Sequence, residues 1–277
     1  MEQYKFKKTE LISLESVEIS PEKREVLERI KSGVEKSKDI LSARVYGSWL
    51  HSEESTDLDI CIMIASEEGV VNSDVYKRLK SEREELAEKT GQNVDLVPHT
   101  MDEINDFRSD LYYPRYNPSL VAGIDVKGKL DIEPIFDKND SFTYADLLAH
   151  ILLDNRTICR RQIVKSLNPA ESKIFASKLL HGPGNALTYH SCKQKVPYLV
   201  SPSDLAASLE MYDKIYNVDS GPAMDFLSSC KKGLNYENAL ILLTWYERLV
   251  NVVLYGNQHK EGYQKYCAEI GRSKTAQ

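Results

Sequence analysis

Residues 43–64 read ARVYGSWLHSEESTDLDICIMI, and this stretch decides the fold class. Ala43 and Val45, then Asp57 to Ile64, have the β-branched, alternating character of two strands around a polar connection. Side chains two apart on a strand share a face. Asp57 and Asp59 therefore project together toward solvent, while Leu58, Ile60, Ile62 and Ile64 fill the opposite, buried face. Two carboxylates held that close repel. A divalent cation relieves the repulsion, and hard Mg²⁺ favours a few carboxylate oxygens together with substrate phosphates. Gly47 permits a tight strand exit where backbone can approach a ligand, and a helix beginning near Ser48 would aim free N–H groups at phosphate.

A third carboxylate follows. A charged helix reads from about Asn72 to Lys89, packs through Val75, Leu79 and Leu86, and is stopped by Gly91. After it comes Asp95 in QNVDLVP, a short apolar strand that would turn Asp95 to the same side as Asp57 and Asp59. A lone Gly-Ser or a lone Asp-Leu-Asp carries little weight, but three parts in order, each on a fitting element, are hard to obtain by chance. The set resembles the DNA polymerase beta superfamily of nucleotidyltransferases, of the minimal and antibiotic-modifying type, over roughly the first half of the chain.

That resemblance implies Mg²⁺-dependent transfer of a nucleoside monophosphate from a nucleoside triphosphate to an acceptor hydroxyl, with release of pyrophosphate. Mn²⁺ would be the substitute metal and ATP the default donor. By the same resemblance Asp57 and Asp59 hold two ions about 3.5 to 4 Å apart. Asp95 ligates the first metal or acts as general base, and Gly47 and Ser48 bind the β and γ phosphates. The chain departs from the family pattern at His51, where many minimal members carry Arg, at Ser52 in place of Gly, and at Thr56 in place of Ser. His51 is equally well read as a phosphate contact or as an exposed loop residue, and as a neutral imidazole it would bind phosphate more weakly than Arg.

Composition bounds the setting. The chain has 277 residues, 42% of them apolar, which is length and core for two domains. No apolar run approaches the roughly 20 residues of a membrane span, and MEQYKFKKTE lacks a signal-peptide core. Five scattered cysteines argue against a disulfide framework and for a reducing cytoplasm. Zinc is not expected, since His190-Ser191-Cys192 has no second pair of ligands at a metal-binding spacing. A net charge of -6 argues against a general nucleic-acid binder. The best basic cluster is Arg156, Arg160, Arg161 and Lys165, read as a solvated helix face or, alternatively, as a phosphate contact.

The remaining pattern divides the chain into residues 1–138, a transferase-type α+β domain with a small mixed sheet and helices on one face, and 139–277, an all-α helical bundle that binds substrate or a partner. In the first part Ser20-Pro21 caps a helix striped by Val26, Leu27, Ile30 and Val34. Thr100 with Glu103 forms a capping box, and Asp125 to Ile132 reads as a hairpin around Gly128. In the second part Asn168-Pro169 with Glu171 caps a helix, His181-Gly182-Pro183-Gly184 breaks it, and Asp204 closes another capping segment. Gly221-Pro222 marks a turn, and 238–254 is an apolar helix suited equally to a bundle core or a homodimer interface. Tyr112, Tyr113, Tyr116 and Tyr189 are the aromatic residues placed nearest a cleft, while Glu210, Glu237 and Glu247 are read as surface carboxylates.

Three functions fit this reading. One is an adenylyl-type transferase acting on a small molecule. Another is transfer to a protein hydroxyl or an RNA end such as that of tRNA. The third is a nucleotide-binding regulatory or antitoxin-like module with little turnover. The spacing of Arg44 and His51 matches a helical ribonuclease motif, but both lie inside the transfer motif, so the match is read as coincidence.

Overall fold

A computed structural model describes residues 19–50, 52, 55, 57–67, 69–100, 103, 123–130, 144–165, 167–194, 204–216, 219–229 and 234–255. The described elements run α1 (Pro21–Lys36), β1 (Ile40–Tyr46), β2 (Asp57–Ile64), α2 (Ser73–Thr90), β3 (Asn93–His99), β4 (Ile124–Lys127), α3 (Tyr144–Lys165), α4 (Pro169–Leu180), α5 (Gly182–Gln194), α6 (Leu205–Tyr216), α7 (Gly221–Ser229) and α8 (Tyr236–Tyr255). The class is α+β. Contacts separate two units: one holds α1, β1 to β4, α2 from Asp74 and the end of α3 from Arg160, and the other holds Ser66–Ser73, α3 to Cys159 and α4 to α8.

The sheet of the first unit is mixed, in the order β3-β2-β1-β4. β1 runs antiparallel to both β2 and β4, and β2 runs parallel to β3. A parallel pair needs a long crossover, and α2 supplies it. Pro98 is tolerated because β3 is an edge strand, where a missing N–H costs no ladder bond. The expected alternation holds only at the start of β2. Leu58, Ile60, Ile62 and Ile64 are buried, but from Cys61 onward the other face is buried too, with Cys61 and Met63 packed among Tyr46, Val97 and Leu130. The open face is confined to Asp57 and Asp59.

Polar contacts fix the register of these elements. The Ser20 hydroxyl accepts from the Lys23 amide at 3.3 Å, capping α1, whose Leu27, Ile30 and Val34 are buried. Lys127 on β4 donates to the carbonyls of Val34 and Ser37 at 3.0 and 2.5 Å, closing the C-terminus of α1. Arg44 is fully buried in β1 and pairs with Asp125 at 2.7 Å and the Leu130 carbonyl at 2.6 Å. Arg44 is thus a sheet fastener. The segment read as a hairpin gives β4 alone, paired with β1; Gly128 ends the strand with positive φ, and 131–132 lie outside the described residues.

In the second unit α8 packs against α4, α5 and α7, and it is buried except along one stripe, where Glu237, Ile241 and Arg248 are exposed. Asn168 and Glu171 form a reciprocal capping box at 3.0 and 3.1 Å, and Asp204 caps α6 through the Ala207 amide. Three expectations need correction here. Gly221-Pro222 opens α7 rather than a turn, because proline at the start of a helix loses no hydrogen bond. His181 is only a one-residue interruption, since α5 restarts at Gly182. Glu247 is not a surface carboxylate: it is fully buried and accepts the Val71 N–H at 2.8 Å, anchoring the segment before α2. Glu210 and Glu237 are exposed as expected.

Candidate active site

The parallel ladder between β2 and β3 sets Asp59 opposite Asp95 and Asp57 opposite Asn93. Side-chain period two then puts Asp57, Asp59 and Asp95 on one face. The antiparallel ladder sets Tyr46 opposite Asp59, so the turn leaving β1 arrives beside the same carboxylate. Gly47 makes that turn at φ +87, and a methyl group there would lie 3.0 Å from Asp59 Oδ2. The glycine is required twice, for the left-handed backbone and for the approach to the carboxylate.

The three acids differ in surroundings. Asp57 is exposed and accepts from the Asn93 amide at 2.6 Å. Asp59 is half-buried, and Asp95 is almost completely so, with its side chain 6% exposed. Burial pushes the Asp59 carboxyl above the usual range; Arg161 opposes this, while Asp95 and Asp57 reinforce it. Burial likewise raises the Cys61 thiol far above its ordinary value, leaving it inert.

The main surprise comes from the end of α3. Arg161 donates from Nε to Asp95 Oδ2 at 2.7 Å, its Nη2 touches the same oxygen, and Nη2 lies 3.6 Å from Asp59 Oδ1. Lys165 Nζ lies 3.9 Å from Asp95 Oδ2. The hydrogen bond to Asp95 makes the Arg161 guanidinium hold its proton more firmly than usual. The basic cluster is therefore not a solvated face. Arg156 and Arg160 are fully buried: Arg156 donates to Asn251 at 2.9 Å, and Arg160 pairs with Glu103 at 2.6 Å. The sequence did carry a signal for this, because Arg156, Cys159, Arg160 and Ile163 follow helical spacing on one buried stripe.

After Gly47 the expected helix at Ser48 is a single tight turn, Ser48–Leu50. The Ser48 hydroxyl lies 3.0 Å from that of Ser55, and Trp49 is buried with its indole N–H on Gln92 at 3.2 Å. The turn is closed by the Leu50 N–H on the Gly47 carbonyl at 3.3 Å and the Ser52 N–H on the Ser48 carbonyl at 2.9 Å. His51, Thr56, Tyr112, Tyr113 and Tyr116 lie outside the described residues. Tyr189 is buried in a cluster with Ala145, Leu148 and Ala149, so it packs rather than lines a cleft.

Among the described residues no three His, Cys, Asp or Glu side chains, Asp57, Asp59 and Asp95 included, come together as a group that could hold a metal ion. Asp95 Oδ1 is buried without a hydrogen-bond partner, and Mg²⁺ asks the protein for only one or two carboxylates when phosphates supply the rest. No family model matches the chain, and no curated protein or solved structure matches it either.

Proposed function

We propose that this chain is a Mg²⁺-dependent nucleotidyltransferase of the DNA polymerase beta type, moving a nucleoside monophosphate, AMP by default, from a triphosphate to an acceptor hydroxyl. The observation that supports it most is the pairing of Asp59 with Asp95 across a parallel ladder, with Gly47 packed against Asp59. Asp57, Asp59 and Asp95 would hold the metal, which when bound polarises the phosphoryl oxygens and neutralises charge on the pyrophosphate leaving group. The Gly47-Ser48 turn gives close backbone access beside the carboxylates, where a triphosphate would lie. The acceptor oxygen attacks the α phosphorus, the bond to the bridging oxygen breaks to release pyrophosphate, and the acceptor proton passes to Asp95 where that residue serves as general base instead of ligating the metal. The acceptor class is a small molecule, a protein hydroxyl or an RNA end. In this reading the helical unit serves as a substrate-binding or partner domain, and the protein works in the cytoplasm.

One observation favours the alternative, a nucleotide-binding regulatory module with little turnover. Arg161 sits on Asp95 and beside Asp59, where a metal would have to bind. Incubation with Mg²⁺ and each α-labelled nucleoside triphosphate, with and without cell extract, separates the two. Label in a small-molecule, protein or RNA fraction, absent from an Asp57→Ala/Asp59→Ala control, establishes transfer and picks the acceptor class. Nucleotide binding with no label in any fraction establishes the regulatory reading.

A further inference from the structure

We infer that Arg161 is an internal counter-cation of the carboxylate cluster, competing with a divalent metal for Asp95 and Asp59, so that metal entry and release of this guanidinium are one coupled step. The inference rests on the proposed reading of Asp57, Asp59 and Asp95 as the metal-binding set.

Asp95 is nearly buried, and a lone carboxylate there would be costly without a cation. Arg161 meets that need through two nitrogens on Oδ2, and one of them also reaches toward Asp59 Oδ1 at 3.6 Å. A metal ion shared by Asp59 and Asp95 would claim the same oxygens, and a divalent ion and a guanidinium repel at that distance. The unpartnered Asp95 Oδ1 shows that the arginine leaves part of this carboxylate's bonding capacity unused. Arg161 is also built to leave. Its side chain is 46% exposed and stands in the last two turns of α3, so the long side chain can swing into solvent without disturbing the helix.

The consequence is cooperativity. Metal alone must displace the guanidinium and gains little, whereas metal with triphosphate brings an anion that the freed planar fork can bind. Each ligand then strengthens the other by the same factor.

The test is Mn²⁺ binding to the full chain without nucleotide, read by the electron paramagnetic resonance signal of free Mn²⁺. Arg161→Gln is expected to bind Mn²⁺ about tenfold tighter than wild type, from the loss of one adjacent positive charge. Arg161→Lys, which keeps the charge, stays within about threefold of wild type, and Lys165→Gln, a milder charge removal, shows a smaller gain. Equal or weaker binding by both Gln variants overturns the inference while leaving the carboxylates as a metal site. Failure of wild type and all three variants to bind Mn²⁺, both without nucleotide and with a non-hydrolysable triphosphate, removes both readings at once.

Discussion

Replacing Glu103 by Gln tests what holds the end of α3 in place. Arg160 and Glu103 are 0% and 1% exposed and meet at 2.6 Å. The same carboxylate oxygen accepts the Thr100 N–H at 3.2 Å and lies 3.3 Å from His99 Nδ1. Gln keeps the shape and removes the negative charge that faces the buried Arg160 guanidinium at 2.6 Å. With charge centres about 4 Å apart, the lost attraction is about 4 kcal/mol at an effective dielectric of 20. Measured losses for one broken member of a buried pair run to about 3–5 kcal/mol. The two tryptophans make the assay specific, because Trp49 belongs to the sheet unit and Trp245 to the helical one. In a Trp245→Phe background, urea unfolding followed by fluorescence reports the sheet unit alone. With a slope of about 2 kcal/mol per molar urea, the midpoint should fall by about 1.5–2.5 M. Arg160→Met/Glu103→Leu, which removes both charges, should recover more than half of the loss. A fall below about 0.5 M, or a double variant worse than the single one, would refute the argument that this pair carries a buried, mutually compensated charge.

Gly47→Ala should cost about 1–2 kcal/mol from left-handed backbone strain and lower nucleotide transfer further by displacing Asp59, whose oxygen is 3.0 Å from the added carbon. Gly91→Ala, at φ +68 with nothing within 4 Å, should show a comparable loss in the thermal melt and unchanged transfer; if both variants lose transfer alike, the Asp59 contact is not the cause. Asp59→Asn should stabilise the metal-free chain at neutral pH. The fold raises the Asp59 carboxyl, so the stability this group contributes is fully present below about pH 3.9 and is lost as pH rises through the folded-state value. The difference in melting temperature between variant and wild type should therefore shrink on acidification; a variant that is less stable at pH 7, or a difference independent of pH, contradicts that electrostatic account.

The positions of the three carboxylates were legible because a strand repeats every two residues, which determines a face from sequence alone. The partner across the ladder was not. That Asp95 meets Asp59 rather than Asp57 depends on how α2 packs and where β3 begins, and the Arg83 side chain of α2 helps set this by donating to the Val94 carbonyl at 2.8 Å. The mixed class of the sheet was readable from two strands, a helix and a third strand. The burial of its second face was hidden, because Cys61 and Met63 are too weakly apolar to distinguish a covered face from an exposed one.

The basic residues of α3 show a deeper limit. Arg156, Arg160 and Arg161 look alike in the sequence, and intrinsic preference places all three in water. Their partners Asn251, Glu103 and Asp95 lie 95, 57 and 66 residues away, so no local rule connects them. What separates them is angular position on the helix. Arg156 and Arg160 share the stripe of Cys159 and Ile163 and must be buried, whereas Arg161 stands one step round the helix, half-exposed, and reaches the carboxylates through its long side chain. The motif that identifies the acids therefore says nothing of the cation beside them. In the proposed reading that cation competes with the metal for the same oxygens, so the motif locates the proposed chemistry and the helix that ends beside it sets the conditions under which it would start.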